Sequence, residues 1–241
     1  MFLIPPPRSL ALAALAAAAF FAPAIAASEK AGIASGCTLM ATLVADDCEI
    51  RQLMTCEQDG SDVRRLDIYV KGQFRGREKY VAGLLMTEWR RGRHVQEIRP
   101  EGDDAALTRI AGLTTAADGE KAKYRFVRVR RKLPAKTGES TSGQSEITRM
   151  GPAAIDFGGA PMPVEMYRVD LKWTGGGRSR LLRYVKPGLL VALLSEQENY
   201  DDDGNKLSAS TDRVVAVYEK DDPNFGLLEP KVEDGLCKRD E

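Results

Sequence analysis

The chain has 241 residues, with 35 basic side chains, 35 acidic side chains and one histidine. Balanced charge leaves no global field to gather nucleic acid or an anionic membrane, so such a partner would need a local patch. A single histidine excludes a multi-histidine zinc site and leaves imidazole-based catalysis to His94 alone.

Residues 1–27 read as a secretory signal peptide. Arg8 is the only charge, Leu10 to Phe21 is built from Ala, Leu and Phe, and Ala24-Ile25-Ala26 supplies the small residues of a cleavage site. The apolar stretch is too short for the ~20 residues of a spanning helix, and Pro23 follows it. Periplasmic or secreted localisation follows, with no transmembrane segment after cleavage. Ala34-Ser35-Gly36-Cys37 ends like a lipid-attachment box, but Glu29 and Lys30 separate it from the apolar run. Residues 28–241 are expected to form one β-rich domain with an irregular tail from about 221.

Four cysteines remain: Cys37, Cys48, Cys56 and Cys237. In an oxidising compartment an even count implies disulfides. Cys48 and Cys56 pair directly only if the chain reverses between them, since residues eight apart on a helix lie ~12 Å apart. The favoured arrangement has one bridge from Cys237 back to the N-terminal cluster. The remaining connectivity is open.

Thr38–Glu57 combines Leu39, Met40, Leu43 and Val44 at helical spacing, which predicts a short helix leading into a second helix or a strand. From Val63 the texture becomes β. Leu66, Ile68 and Val70 alternate with Arg65, Asp67 and Tyr69, and a hairpin turn is expected at Arg91-Gly92. Ala106–Leu113 and Lys123–Leu133 are expected as strands flanking an Asp118-Gly119 hairpin turn. Lys136–Ser145 is expected as a long loop. In Met162–Trp173 the apolar phase slips by one residue between Met166 and Tyr167, and Tyr124, Phe126, Val127 and Val129 show the same slip. Each predicts a β-bulge, hence strong curvature. Thr174–Gly177, Lys186–Gly188 and Asp201–Asn205 then turn a meander of antiparallel strands.

Leu189 to Leu194 presents apolar side chains on both sides of its strand. Each such side chain withdrawn from water is worth ~1.5–3 kcal/mol, so both faces need cover. The fold class is therefore mainly β (α+β), a strongly curved, half-barrel-like antiparallel sheet with one or two helices packed on it.

Arg183-Tyr184-Val185-Lys186-Pro187-Gly188-Leu189-Leu190, a polar strand, and Tyr200-Asp201-Asp202-Asp203-Gly204-Asn205-Lys206 together resemble the periplasmic carriers of outer-membrane lipoproteins. The resemblance implies an incomplete barrel around an apolar cavity that receives acyl chains. The chain departs from that pattern in lacking an aromatic residue at Val185 and in carrying four cysteines. No functional residue transfers by identity.

Other motifs fade on inspection. Asn199, Asp201, Asp203 and Gly204 begin like a calcium loop, but Ser210 stands where a bidentate Glu belongs. The glycine runs at 158–159 and 175–177 lack a following Gly-Lys-Ser/Thr. Glu196 and Glu198 share a strand face, which is common in soluble strands. His94 sits among arginines near a turn and reads as a surface residue.

The expected function is non-catalytic, without metal or cofactor: an exported protein holding a lipid, an acyl chain or a lipoprotein. The expected cavity wall is Val169, Leu171, Trp173, Leu189, Val191 and Leu193. The alternative is an envelope interaction module with a filled core. Arg90, Arg91, Arg93, Arg125, Arg128 and Arg130 form a basic patch that would reach anionic envelope components or keep a sheet edge soluble.

Overall fold

A computed structural model describes residues 32–60, 62–232 and 235–237. The expected signal peptide lies outside them. Among the described residues the chain is an antiparallel meander: β1 (Cys37–Ala45), β2 (Ile50–Cys56), β3 (Val63–Val70), β4 (Gln73–Val81), β5 (Leu85–Arg91) and β6 (His94–Pro100). Helix α1 (Asp103–Gly112) intervenes. The meander resumes with β7 (Lys121–Lys132), β8 (Glu139–Phe157), β9 (Ala160–Trp173), β10 (Arg178–Lys186), β11 (Val191–Tyr200) and β12 (Lys206–Glu219). β12 returns to pair with β1, closing a twelve-stranded barrel. The sheet is thus closed, not the half-barrel expected.

The closure comes from the segment expected to be helical. Thr38–Glu57 forms the β1–β2 hairpin, with Cys37 directly opposite Cys56 and bridged to it. Ala41 to Ala45 are all buried, because the barrel interior covers one face of β1 and the C-terminal tail covers the other. A strand buried on both sides loses its period of two and is open to misreading as a helix.

The second correction is Ala106–Leu113, which lies in α1 and the turn after it. Ala106, Ile110 and Leu113 are buried against Val81, Leu84, Leu85 and Phe126. Their i, i+4, i+7 spacing is a helical stripe, obscured in so short a run. α1 covers one end of the barrel, and two turns meet over the same end. A side chain at Gly83, whose φ is +72°, would lie 2.8 Å from the Leu190 carbonyl oxygen. Arg183 donates to the Gly83 carbonyl at 3.2 Å, and Arg64 donates to the Leu189 carbonyl at 3.0 Å. Only a glycine admits this approach in that backbone conformation.

Neither strand expected to bulge carries an extra residue; the slip read in β9, which keeps its register against β10, is matched by a bulge in its partner β8. β8 and β9 slip register between Arg149 and Gly151, leaving Met150 as the extra residue opposite the Tyr167–Met166 step. Beyond it the β8–β9 arm outruns β7 and inserts Ile155 and Val164 among Leu43, Leu53, Leu193 and Val214. β7 has no register shift against β6 or β8. Its apparent slip arises because Arg128 and Arg130, not valines, continue the inward row of Tyr124 and Phe126. The expected loop Lys136–Ser145 is β-strand from Glu139 onward, and Gly143 there is the platform on which the Phe126 ring lies.

The described residues after β12 lie over β1 and β2. Gln52 donates to the Leu227 carbonyl at 2.9 Å, Gly226 N–H donates to the Thr42 hydroxyl at 2.8 Å, and Leu228 packs with Val44, Ile50 and Tyr69. The Cys48–Cys237 disulfide pins this layer, the reach-back expected for Cys237.

Candidate functional site: the barrel lumen

Inside the barrel a cavity of about 440 Å³ is bounded by β4–β7 and β9–β12. Leu84 and Leu85 form its floor at the end closed by α1. One wall is apolar, from Ile98, Phe126, Val169, Leu171, Trp173 and Leu181. The facing wall is polar, from Ser195, Gln197, Ser210 and Asp212. Trp173 stands toward the open end, its ring edge-on to Phe126 with centroids 5.1 Å apart.

The structure divides the expected wall into two groups. Val169, Leu171 and Trp173 face the cavity. Leu189, Val191 and Leu193 do not line it; they pack with Leu43, Leu53 and Leu66. The apolar segment that demanded cover is thus covered mostly by other protein side chains. The arginines are divided too. Arg90, Arg93 and Arg125 are exposed, Arg91 donates to Glu49 at 2.8 Å, and the half-buried Arg128 and the exposed Arg130 line the lumen. Arg125 borders a second cavity of about 700 Å³ that shares Tyr124, Leu171 and Ser179 with the lumen. Many charges there are mutually paired: Lys121 and Lys123 with Glu146, and Arg180 with Asp170.

The charged residues on the β2, β4 and β12 side of the lumen are matched. Arg51 donates twice to the Asp212 carboxylate, at 2.7 and 2.9 Å, and lies 3.7 Å from Glu49. The Tyr80 hydroxyl donates to Glu78 at 2.9 Å, and the Arg183 guanidinium stands 5.0 Å from the Tyr80 ring centre. Burial, and then the Glu78 charge, push the Tyr80 hydroxyl far above its ordinary range. Arg51 is buried and the Asp212 side chain half exposed; desolvation opposes both charges, yet their mutual hydrogen bonds prevail, so the guanidinium is raised and the carboxyl is lowered. Across the lumen burial pushes the Tyr124 hydroxyl up to about 12.

A folded-state Asp212 pKa below its unfolded value stabilises the fold above the unfolded pKa of ~3.9, and that contribution disappears as pH falls through the lower folded value. Asp212→Asn is therefore expected to lower stability at pH 7, with the gap from the parent closing below pH 4. Urea midpoints of both proteins at pH 7, 4 and 3 check this. A gap independent of pH would mean the carboxylate charge is not what matters.

His94 begins β6, exposed, opposite Arg91 on one side and Lys132 on the other. The acidic turn 201–205 satisfies itself: Asp201 accepts from the Asn205 backbone and side chain at 2.7 and 2.9 Å, and Asp202 accepts from Gly177 N–H. Among the described residues no three His, Cys, Asp or Glu side chains gather as metal ligands, and no helix is long and apolar enough to cross a membrane. The features sequence reasoning missed are the inward aim of Arg128 and Arg130 and the polar lumen face of β11 and β12. Strict alternation along Tyr124, Phe126, Arg128 and Arg130 was the available signal for the first.

No family model matches the chain, and no curated protein matches it. Among solved structures it is similar to the hypothetical lipoprotein YmcC from Escherichia coli K12, at a TM-score of 0.44 and 8% identity, over 76% of this chain and 85% of that one.

Proposed function

We propose that this is an exported, non-catalytic protein of the cell envelope that holds an apolar chain inside its barrel. The observation that carries the reading is the cavity of about 440 Å³, walled on one side by Phe126, Val169, Leu171 and Leu181. That size lies within the range of small-molecule sites, roughly 300–1,000 Å³. The leader-like N-terminus and the two disulfides support export.

The test fills the cavity. The disulfide-intact protein is expected to bind the neutral apolar fluorophore N-phenyl-1-naphthylamine with enhanced emission. Leu171→Trp, which places a larger ring in the lumen, should weaken that binding at least about tenfold, as losing one side chain's apolar contact implies. Its melting temperature should stay near that of the parent, because the added ring enters existing space. Failure of the parent to bind the probe, or undiminished binding by Leu171→Trp, would overturn the reading.

A further inference from the structure

The lumen is charged asymmetrically. Asp212, the acid on its wall, is engaged by Arg51, and the lining cation Arg183 donates to the Gly83 carbonyl and stands over the Tyr80 ring. On β7 the inward row runs Tyr124, Phe126, Arg128, Arg130, so two cations lie above an aromatic wall, one strand repeat apart. Among the described residues no ion pair joins either to a carboxylate. Arg128 stacks on the Trp173 ring at 3.9 Å, and its Nε is buried without a hydrogen-bond partner. Arg130 donates to Gln96 at 3.0 Å. Glu139, opposite Arg130 in register, is exposed at the rim and makes no ion pair with it. Burial, and then the neighbouring Arg130 charge, lower the Arg128 pKa, the sign of a cation short of compensation.

We propose that the occupant of the lumen is a single-chain amphiphile with an anionic head, the head held by Arg128 and Arg130 and the chain extending toward Leu84 and Leu85. This rests on the lumen being a binding cavity, as proposed above. Arg128 is half-buried without an anionic partner and Arg130 is exposed at the rim, so an anion placed between them compensates the first and relieves their mutual repulsion. Guanidinium N–H groups left over after stacking suit a carboxylate or phosphate, whose charge-assisted hydrogen bonds are the strong kind. About 440 Å³ corresponds to about 15 water-sized volumes, and a methylene group is of similar bulk. A single twelve-carbon chain fits in that space.

Titration calorimetry with dodecanoate, dodecyl phosphate, dodecanol and dodecylamine, each below its micelle concentration, tests the proposal on the disulfide-intact protein. At least one of the two anions should bind about 10–100-fold more tightly than dodecanol, and dodecylamine should bind most weakly. The tighter of the two anions identifies the head as carboxylate or phosphate. Arg130→Gln should lose about tenfold in anion affinity with dodecanol unchanged. Arg130 has Gln96 as its hydrogen-bond partner, so this variant should keep its melting temperature, which a thermal melt confirms. Glu139→Gln should strengthen anion binding by removing a negative charge from the rim beside Arg130. Equal affinity for dodecanol and both anions would overturn the head-group assignment while leaving the lumen reading intact. Binding of none of the four, together with failure of the naphthylamine probe, would remove both.

Discussion

Asp67→Ala is expected to lower the free energy of unfolding by about 3–5 kcal/mol, the cost of breaking a buried ion pair from one side. The Asp67 side chain is 6% exposed and that of its partner Arg65 is 7% exposed. Asp67 accepts from Arg65 at 2.9 and 2.6 Å and from Arg77 at 2.9 Å. Without it, the Arg65 guanidinium keeps a 3.7 Å contact to the Cys37 sulfur, a weak acceptor, and loses its only carboxylate among the described residues. Arg77 is more exposed and can turn to water. Urea unfolding of Asp67→Ala checks the loss. Adding Arg65→Met should restore much of it, because an apolar side chain removes the stranded charge. A double variant no more stable than Asp67→Ala would contradict this account of the site.

Removing the Cys48–Cys237 bridge is the second large effect. Its ends are 189 residues apart in sequence, against 19 for Cys37–Cys56. On the chain-entropy view the longer loop constrains the unfolded state more, so its loss costs about 4–5 kcal/mol against about 3 for the shorter one. Loss of Cys48–Cys237 also has a local consequence. The tail bonds from Leu227 and Gly226 to Gln52 and Thr42 then rest on packing by Leu228 and Val232 and on the Tyr218 hydroxyl's bond to the Lys231 carbonyl. The variant Cys48→Ser with Cys237→Ser should melt at a lower temperature than Cys37→Ser with Cys56→Ser. It should also show faster hydrogen exchange at Gly226. The reverse order of melting temperatures would mean the tail contributes little to the fold.

These two sites also show how far the sequence could be read. The turns at Gly92, Thr174–Gly177, Lys186–Gly188 and Asp201–Asn205 were legible because glycine and short polar side chains mark chain reversals locally. Leu189 and Leu190 belong to the turn, with Leu190 at a φ of +51°, so β11 begins two residues later than its greasy run suggests. What stayed hidden depended on distant partners. β1 looked helical because the tail from the far end of the chain buries its outer face. α1 looked like strand because its stripe of Ala106, Ile110 and Leu113 spans barely two turns. Half of the expected cavity wall was placed on the lumen, on β9, where the alternation of Tyr167, Val169, Leu171 and Trp173 survives. Leu189, Val191 and Leu193 satisfy the same apolar pattern by packing on β1, β2 and β3, a distinction that pattern alone does not carry.

The proposed occupant lies inside the barrel, its chain between Leu84 and Trp173. The most direct measurement is a crystal structure of the protein with 12-bromododecanoate, read at the bromine absorption edge. The account predicts one anomalous bromine peak deep in the lumen, against Leu84, Leu85 or Phe126, with the carboxylate density at Arg128 and Arg130. A lumen filled by ordered water alone, with bromine absent or bound only on the outer surface, would contradict it.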